Sequence, residues 1–179
     1  SHFEKLDINI EVKDEKRYLA PIVVEESYAS EESDKPQSHV VLAWLLGRST
    51  DLGELFRAEL VSSVLLDNSA SPLLRVLETS DLGSSPSPMC GLEDSNREMS
   101  MMVGLEGCTA ESSEAVENLI IKTLEDVVKN GIPYAQVEAS LHQLELHQRE
   151  ISGDSYPYGL QLILAGLSTA MHRGDPIKL

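Results

Sequence analysis

The sequence predicts an α+β fold, a largely antiparallel sheet with helices packed on one face. Three observations predict it. Two stretches alternate apolar and polar residues with period two, Leu6-Ile8-Ile10-Val12 and Met99-Met101-Val103-Leu105, as half-buried strands do. Five stretches repeat apolar residues at helical spacing. The elements fall in blocks, ββ-β-α-α-ββ-α-α-α, and this segregation favours helices on one side of a sheet over a doubly wound arrangement. No internal repeat of solenoid length is present.

The first strand turns Leu6, Ile8, Ile10 and Val12 one way and Lys5, Asp7, Asn9, Glu11 and Lys13 the other. Asp14-Glu15-Lys16 is its turn. Tyr18 to Val24 reads as a second strand, and Pro21, with no N–H to donate, places it at an edge. Residues 25–38 are acidic and Ser-rich and read as a solvated surface loop; the stretch holds no Gly for a calcium-loop turn. Val40 to Leu46 is an unbroken apolar run ended by Gly47, expected as a central strand covered on both faces. Trp44 within it is read as core.

A helix is expected from about Asp51, with Leu52, Leu55, Phe56, Leu60, Val64 and Leu65 on one stripe, stopped by Asp67-Asn68-Ser69. Ser71-Pro72 opens a short helix, since Pro suits a first turn. After a turn-rich stretch from Gly83 to Pro88, a strand pair is expected at about Ser87–Glu93 and Glu98–Gly107, joined near Ser95-Asn96. Its Met stripe reads as core.

Three helices follow. The first, about Ser112 to Lys129, has a Ser cap, Glu114 at its positive end and Asn130-Gly131 at its close. The second runs from Pro133 to about Ile151 with Val137, Leu141, Leu144 and Ile151 in line. The third, about Tyr158 to His172, aligns Leu160, Leu164, Leu167 and Met171. Leu162, Ile163, Ala165 and Ala170 widen that face, so this helix is expected to be the most buried.

The composition bounds the function. With 179 residues, 41% of them hydrophobic and 25% charged, the chain can bury roughly two-thirds of its unfolded surface and needs neither metal nor disulfide to fold. Thirty acids against fourteen Lys and Arg give a net charge of -16. That field disfavours nucleic acid and anionic membrane surfaces as partners, and it is read as a solubility device. Two cysteines, Cys90 and Cys108, exclude a disulfide scaffold and a Cys-rich zinc module. No apolar run approaches the ~18 residues of a membrane span, and no leader pattern opens the chain. Ser1-His2 reads as a cloning remnant. The stop at Pro176-Ile177-Lys178-Leu179 reads as the margin of a piece excised from a longer protein.

The strongest metal-like pattern is His142-Gln143-Leu144-Glu145-Leu146-His147. A zinc helix places two His at i and i+4, about 40° apart. Here the spacing is i to i+5, about 140° apart, so the rings cannot share an ion on an unbroken helix. Both read as surface histidines. His39 reads as structural and His172 as a helix C-cap. Cys90 is expected opposite about Met101 or Met102 rather than Cys108, so both thiols are expected to be free. Phosphate-binding Gly loops and a G-x-S-x-G elbow are absent. No catalytic, cofactor-binding or metal-binding residue is assigned in this chain.

Four blocks in order carry a resemblance. They are Ser62-Ser63-Val64-Leu65-Leu66-Asp67-Asn68-Ser69-Ala70-Ser71-Pro72-Leu73, Met102-Val103-Gly104-Leu105-Glu106-Gly107, Thr123-Leu124-Glu125-Asp126-Val127-Val128-Lys129-Asn130-Gly131 and His172-Arg173-Gly174-Asp175-Pro176. Together they resemble the presequence protease branch of the pitrilysin/insulinase-type zinc metallopeptidases, over about Val40 to Leu179. The resemblance implies a metallopeptidase-like (mitochondrial processing peptidase-like) domain, the second of four in a clamshell around unfolded peptide. In that family zinc sits on an H-x-x-E-H motif plus a distal Glu in the first domain, and Arg and Tyr groups come from the last. His142 to His147 departs from that motif by one residue, and no role is carried onto it.

The implied function is therefore a non-catalytic wall domain of a zinc-dependent peptidase that degrades unfolded peptides in a closed chamber. Its partners would be neighbouring domains of the same chain and the parent's peptide substrates. Zinc is the cofactor of the parent and of no residue here. Residues 1–179 would be a single domain with an exposed apolar patch toward its missing neighbour. A zinc-less assembly subunit of the same fold is the alternative, and an autonomous hydrolase with an unrecognised carboxylate site is a third. The family's setting is a bacterial, mitochondrial or plastid interior.

Overall fold

The computed structural model describes residues 11–29, 38–149 and 157–177. In chain order the elements are β1 (Ser38–Arg48), α1 (Leu52–Leu66), α2 (Pro72–Glu78), β2 (Ser85–Pro86), β3 (Gly91–Glu93), β4 (Glu98–Cys108), α3 (Ser113–Asn130), α4 (Tyr134–Arg149) and α5 (Tyr158–Met171). A single 3-10 turn, Ala110–Ser112, precedes α3.

β4 is the spine of the sheet. It pairs antiparallel with β1 on one side and with β2 and β3 on the other. Its alternation does what period two dictates: Met99, Met101, Val103 and Leu105 are buried on one face, and Ser100, Met102 and Glu106 are half-buried on the other. Leu65 of α1, Leu73 and Leu77 of α2, and Val116 and Ile120 of α3 close over the buried face. Each such side chain contributes about 1.5–3 kcal/mol on full burial. The helices thus back one face of an antiparallel sheet, as the segregated element order predicts.

The helix starts follow from their caps. The Asp51 carboxylate accepts from the Gly53 and Glu54 N–H groups at 3.0 and 3.1 Å, two donors that the first turn leaves orphaned. Between α1 and α2, the Asn68 side chain accepts from the Ala70 N–H at 3.0 Å and the Ser71 hydroxyl accepts from the Asn68 N–H at 3.3 Å. The Gly131 N–H bonds the Val127 carbonyl at 2.8 Å and closes α3.

Gly104 faces Val41 in the β1–β4 ladder. A Cβ there would lie 2.1 Å from the Val40 carbonyl oxygen and 2.8 Å from the Val41 Cα. Both obstacles are backbone, so neither can move aside without shifting the strand.

Several expectations are corrected. Tyr18–Val24 is not a strand: residues 11–29 have no helix or strand and are exposed. Ions rather than a ladder hold this segment. Asp14 accepts from Arg97 Nε at 2.7 Å and pairs with Arg48. Arg17 reaches Glu98 at 2.5 Å and the Leu46 carbonyl at 3.1 Å, and the Glu15 N–H donates to Glu98 at 2.5 Å. Of the first predicted strand, Leu6, Ile8 and Ile10 lie outside the described residues and Val12 is exposed. Within the acidic stretch 25–38, residues 30–37 also lie outside them.

β1 is not central. Among the described residues it pairs with β4 alone, and Val40, Leu42, Trp44 and Leu46 pack half-buried against the core while His39, Ala43 and Leu45 are exposed. An unbroken apolar run need not be covered on both faces. The first arm of the predicted hairpin, Ser87–Glu93, keeps only β3, because residues 87–90 turn, with the Cys90 N–H bonded to the Ser87 carbonyl at 3.0 Å, and β2 falls in the stretch read as turn-rich.

The largest correction is α5. Its broad apolar face predicts the most buried helix, yet Leu160, Leu162, Ile163, Leu164, Leu167 and Met171 are exposed. At its C-terminal end the Ser95 carbonyl accepts from the Ser168 hydroxyl at 3.4 Å and meets His172 Nε2 at 2.9 Å. Gly174 is wedged beside them, and a Cβ on it would lie 2.8 Å from Thr50 Cγ2.

Candidate functional site

The α4 helix buries the side bearing Ser140, with Val137 and Leu144 half-buried beside it and Gln136 donating to the Val64 carbonyl at 3.4 Å. Leu141 is exposed, and Ile151 lies outside the described residues. At 100° per residue this orientation turns His142 almost directly away from the body and brings His147, seven residues on, back to within about 20° of Ser140 near the open end of the helix. Both histidines are exposed. His142 Nδ1 stands 3.8 Å from Glu145, whose other oxygen pairs with Arg149 at 2.6 Å. The carboxylate between the two histidines is thus engaged by a cation on its own helix. Among the described residues no group of three His, Cys, Asp or Glu side chains could hold a metal ion, and the donors present do not fit the zinc of a metallopeptidase.

His39 packs edge-on against Tyr28 with centroids 5.6 Å apart. His172 is the C-cap residue of α5, and its ring bonds the Ser95 carbonyl rather than its own helix end. The Cys90 thiol donates to the Gly104 carbonyl at 3.3 Å and accepts the Gly104 N–H at 3.2 Å. Cys108 is buried with its thiol 3.6 Å from the Leu105 carbonyl. Both cysteines are free. Burial pushes both thiols up from the ordinary thiol range, the opposite of what a nucleophile needs.

One convergence was invisible in the sequence. Glu59 of α1 is half-buried, and loss of water raises its carboxyl above the usual carboxylate range; Asp94 in the β3–β4 turn adds to the rise and His147 of α4 opposes it. These three residues are far apart in the chain, so no spacing rule joins them.

A shallow depression lies at the start of α1, bordered by Arg48, Thr50, Asp51, Glu54, Thr169 and Asp175. Its polar groups are already committed within the chain. Asp51 caps the helix, Arg48 pairs with Asp14, and Glu54 pairs with Arg57 at 2.6 Å. The four sequence blocks that carry the family resemblance lie at helix ends, on the spine strand and at the anchor of α5. They position the fold rather than present chemistry.

A helix-backed antiparallel sheet whose family-like residues are caps, core and close contacts defines an α+β domain. A family model described as the peptidase M16 inactive domain matches residues 1–144. The chain belongs to the peptidase M16 family, and within it stands with the presequence proteases. It is similar to "Presequence protease, mitochondrial" of Xenopus tropicalis, 33% identical over 184 residues, covering 100% of this chain and 17% of that protein. The mouse (Mus musculus) protein of that name is 34% identical over 143 residues, 80% of this chain and 14% of the relative. That of Aspergillus oryzae is 35% identical over 136 residues, 76% of this chain and 13% of the relative. The chain therefore spans less than a fifth of the length of these relatives.

Proposed function

We propose that this chain is a non-catalytic structural domain of a zinc-dependent metalloendopeptidase that degrades unfolded peptides in a closed chamber. The observation that carries the reading is the match of residues 1–144 to the inactive domain of the M16 peptidases. The relatives' printed name supports a protease over a zinc-less assembly subunit. In this reading residues 1–179 form one domain of a longer chain, zinc is held by residues outside them, and this domain supplies part of the chamber wall. Neighbouring domains of the same polypeptide and its peptide substrates are the partners.

The site geometry is compatible with that division of labour. His142 and His147 diverge around α4, Glu145 is paired, and both thiols are held in their protonated form. The test is made on the polypeptide at the length of its relatives. It should cleave an unfolded peptide, lose that activity to a zinc chelator, and keep it when His142 and His147 are both replaced by Ala. Loss of cleavage in His142→Ala/His147→Ala with the fold intact would sink the reading.

A further inference from the structure

The α5 helix carries small residues inward and large ones outward. Gly166 is buried and Thr169 and Ala170 are half-buried, whereas Leu160, Ile163, Leu164, Leu167 and Met171 are exposed, Ile163 by 66% and Leu167 by 52%. Five of the six exposed aliphatic residues fall within about 100° of arc, and Leu162, exposed as well, lies roughly opposite them. The five form the i, i+3, i+4, i+7, i+11 stripe of a helix built to pack. Tyr158–Met171 contains no Asp, Glu, Lys or Arg, in a chain where a quarter of the residues are charged. The polar anchor at Ser95 and the close contact of Gly174 with Thr50 fix the helix at its C-terminal end and hold the stripe out for a partner.

We propose that this stripe docks an apolar segment of the same polypeptide lying outside residues 1–179. The inference rests on the reading that the chain is one domain of a longer protein and deepens it by naming the contact surface. Relatives extend far beyond the matched region, with more than four-fifths of their length outside it, so ample chain is present to cover the stripe. A tethered segment acts at an effective concentration of about millimolar, which a stripe of this size can exploit. A second copy is the poorer occupant, because each copy brings a net charge of -16 and the two repel. A lipid surface is poorer still: α5 has no basic residue along it to meet anionic headgroups, and at 14 residues it rises only about 21 Å.

The experiment compares maleimide labelling of Ile163→Cys in the 179-residue chain and in the polypeptide at the length of its relatives. The unsubstituted chain, with Cys90 and Cys108, supplies the blank. Labelling is expected to be about tenfold slower or more in the longer polypeptide, as for a site that must open locally to react, and in the short chain to be fast and independent of concentration. Equal rates in the two would overturn the proposal. So would slow labelling in both, which would mean that α5 is covered from within residues 1–179. Protection in the short chain that grows with its concentration would assign the stripe to a second copy and overturn it equally. Leu164→Cys repeats the comparison if the first variant does not fold. Peptide cleavage is read separately: no cleavage with a protected thiol removes the peptidase reading alone, and cleavage with an unprotected thiol removes the docking surface alone.

Discussion

The α3 and α5 helices, of 18 and 14 residues, both carry an apolar stripe, and the two stripes meet opposite fates. In α3, Val116 and Ile120 are fully buried and Leu124 and Val127 pack against the core, while Glu114, Glu117, Glu125 and Asp126 face water. In α5 no charge divides the surface, and the large residues face water instead. An amphipathic helix states which side is covered, because the charges mark the side that is not. A helix apolar all round states that it will be covered without stating by what. The contrast places the core of this chain under α1, α2 and α3, and leaves α5 for something else.

Truncation should separate the two regions most sharply. Leu73→Ala removes a side chain with no exposed surface and should cost about 2–5 kcal/mol, read from urea unfolding of the 179-residue chain. Leu164→Ala in α5 should stay within about 0.5 kcal/mol in the same assay, as a surface substitution does. A comparable loss at Leu164 would erase the distinction. Gly104→Ala tests the spine from the other side of the ladder. With the Val40 carbonyl in the way, it should cost about 3 kcal/mol or more, and a neutral result would mean that β1 is not seated as described.

Smaller effects sharpen the comparison at the edges. Asp51→Ala should lower stability by about 1 kcal/mol through the lost α1 cap, whereas Asp51→Asn should retain most of it. The 11–17 segment is held by ions rather than burial and should respond to acid. The Arg48 and Arg97 guanidiniums hold the Asp14 carboxyl down at about 2, below its ordinary 3.8. A carboxyl depressed in the folded state stabilises fully above the ordinary value and loses that contribution as pH falls through the folded one. Amide exchange of residues 11–17 should therefore quicken relative to β4 as pH falls from about 4 toward 2, after correction for intrinsic rates. Asp14→Asn should be loose at every pH and show no such step.

Much of the fold was legible because some residues state their environment locally. Asp51 declares a helix start, and Met99 to Leu105 declare a half-buried strand. Other positions depend on what stands opposite them. Val40 to Leu46 is apolar enough for a central strand, yet pairing decided its place, and a residue run cannot show its own neighbours. Tyr18 to Val24 has strand-forming side chains, but Pro21 and the ion pairs of Asp14 and Arg17 hold the region as an irregular strap. The spacing of His142 and His147 was readable as geometry on one helix. The approach of Glu59, Asp94 and His147 was not, since three separate elements bring it about.

Zinc titration of the purified 179-residue chain, followed by isothermal calorimetry, tests most directly whether this segment shapes a chamber and leaves the reactive metal to another part of the polypeptide. The account predicts no stoichiometric binding and no change when His142 and His147 are replaced together by Ala. One zinc bound per chain, lost in that double variant, would contradict it.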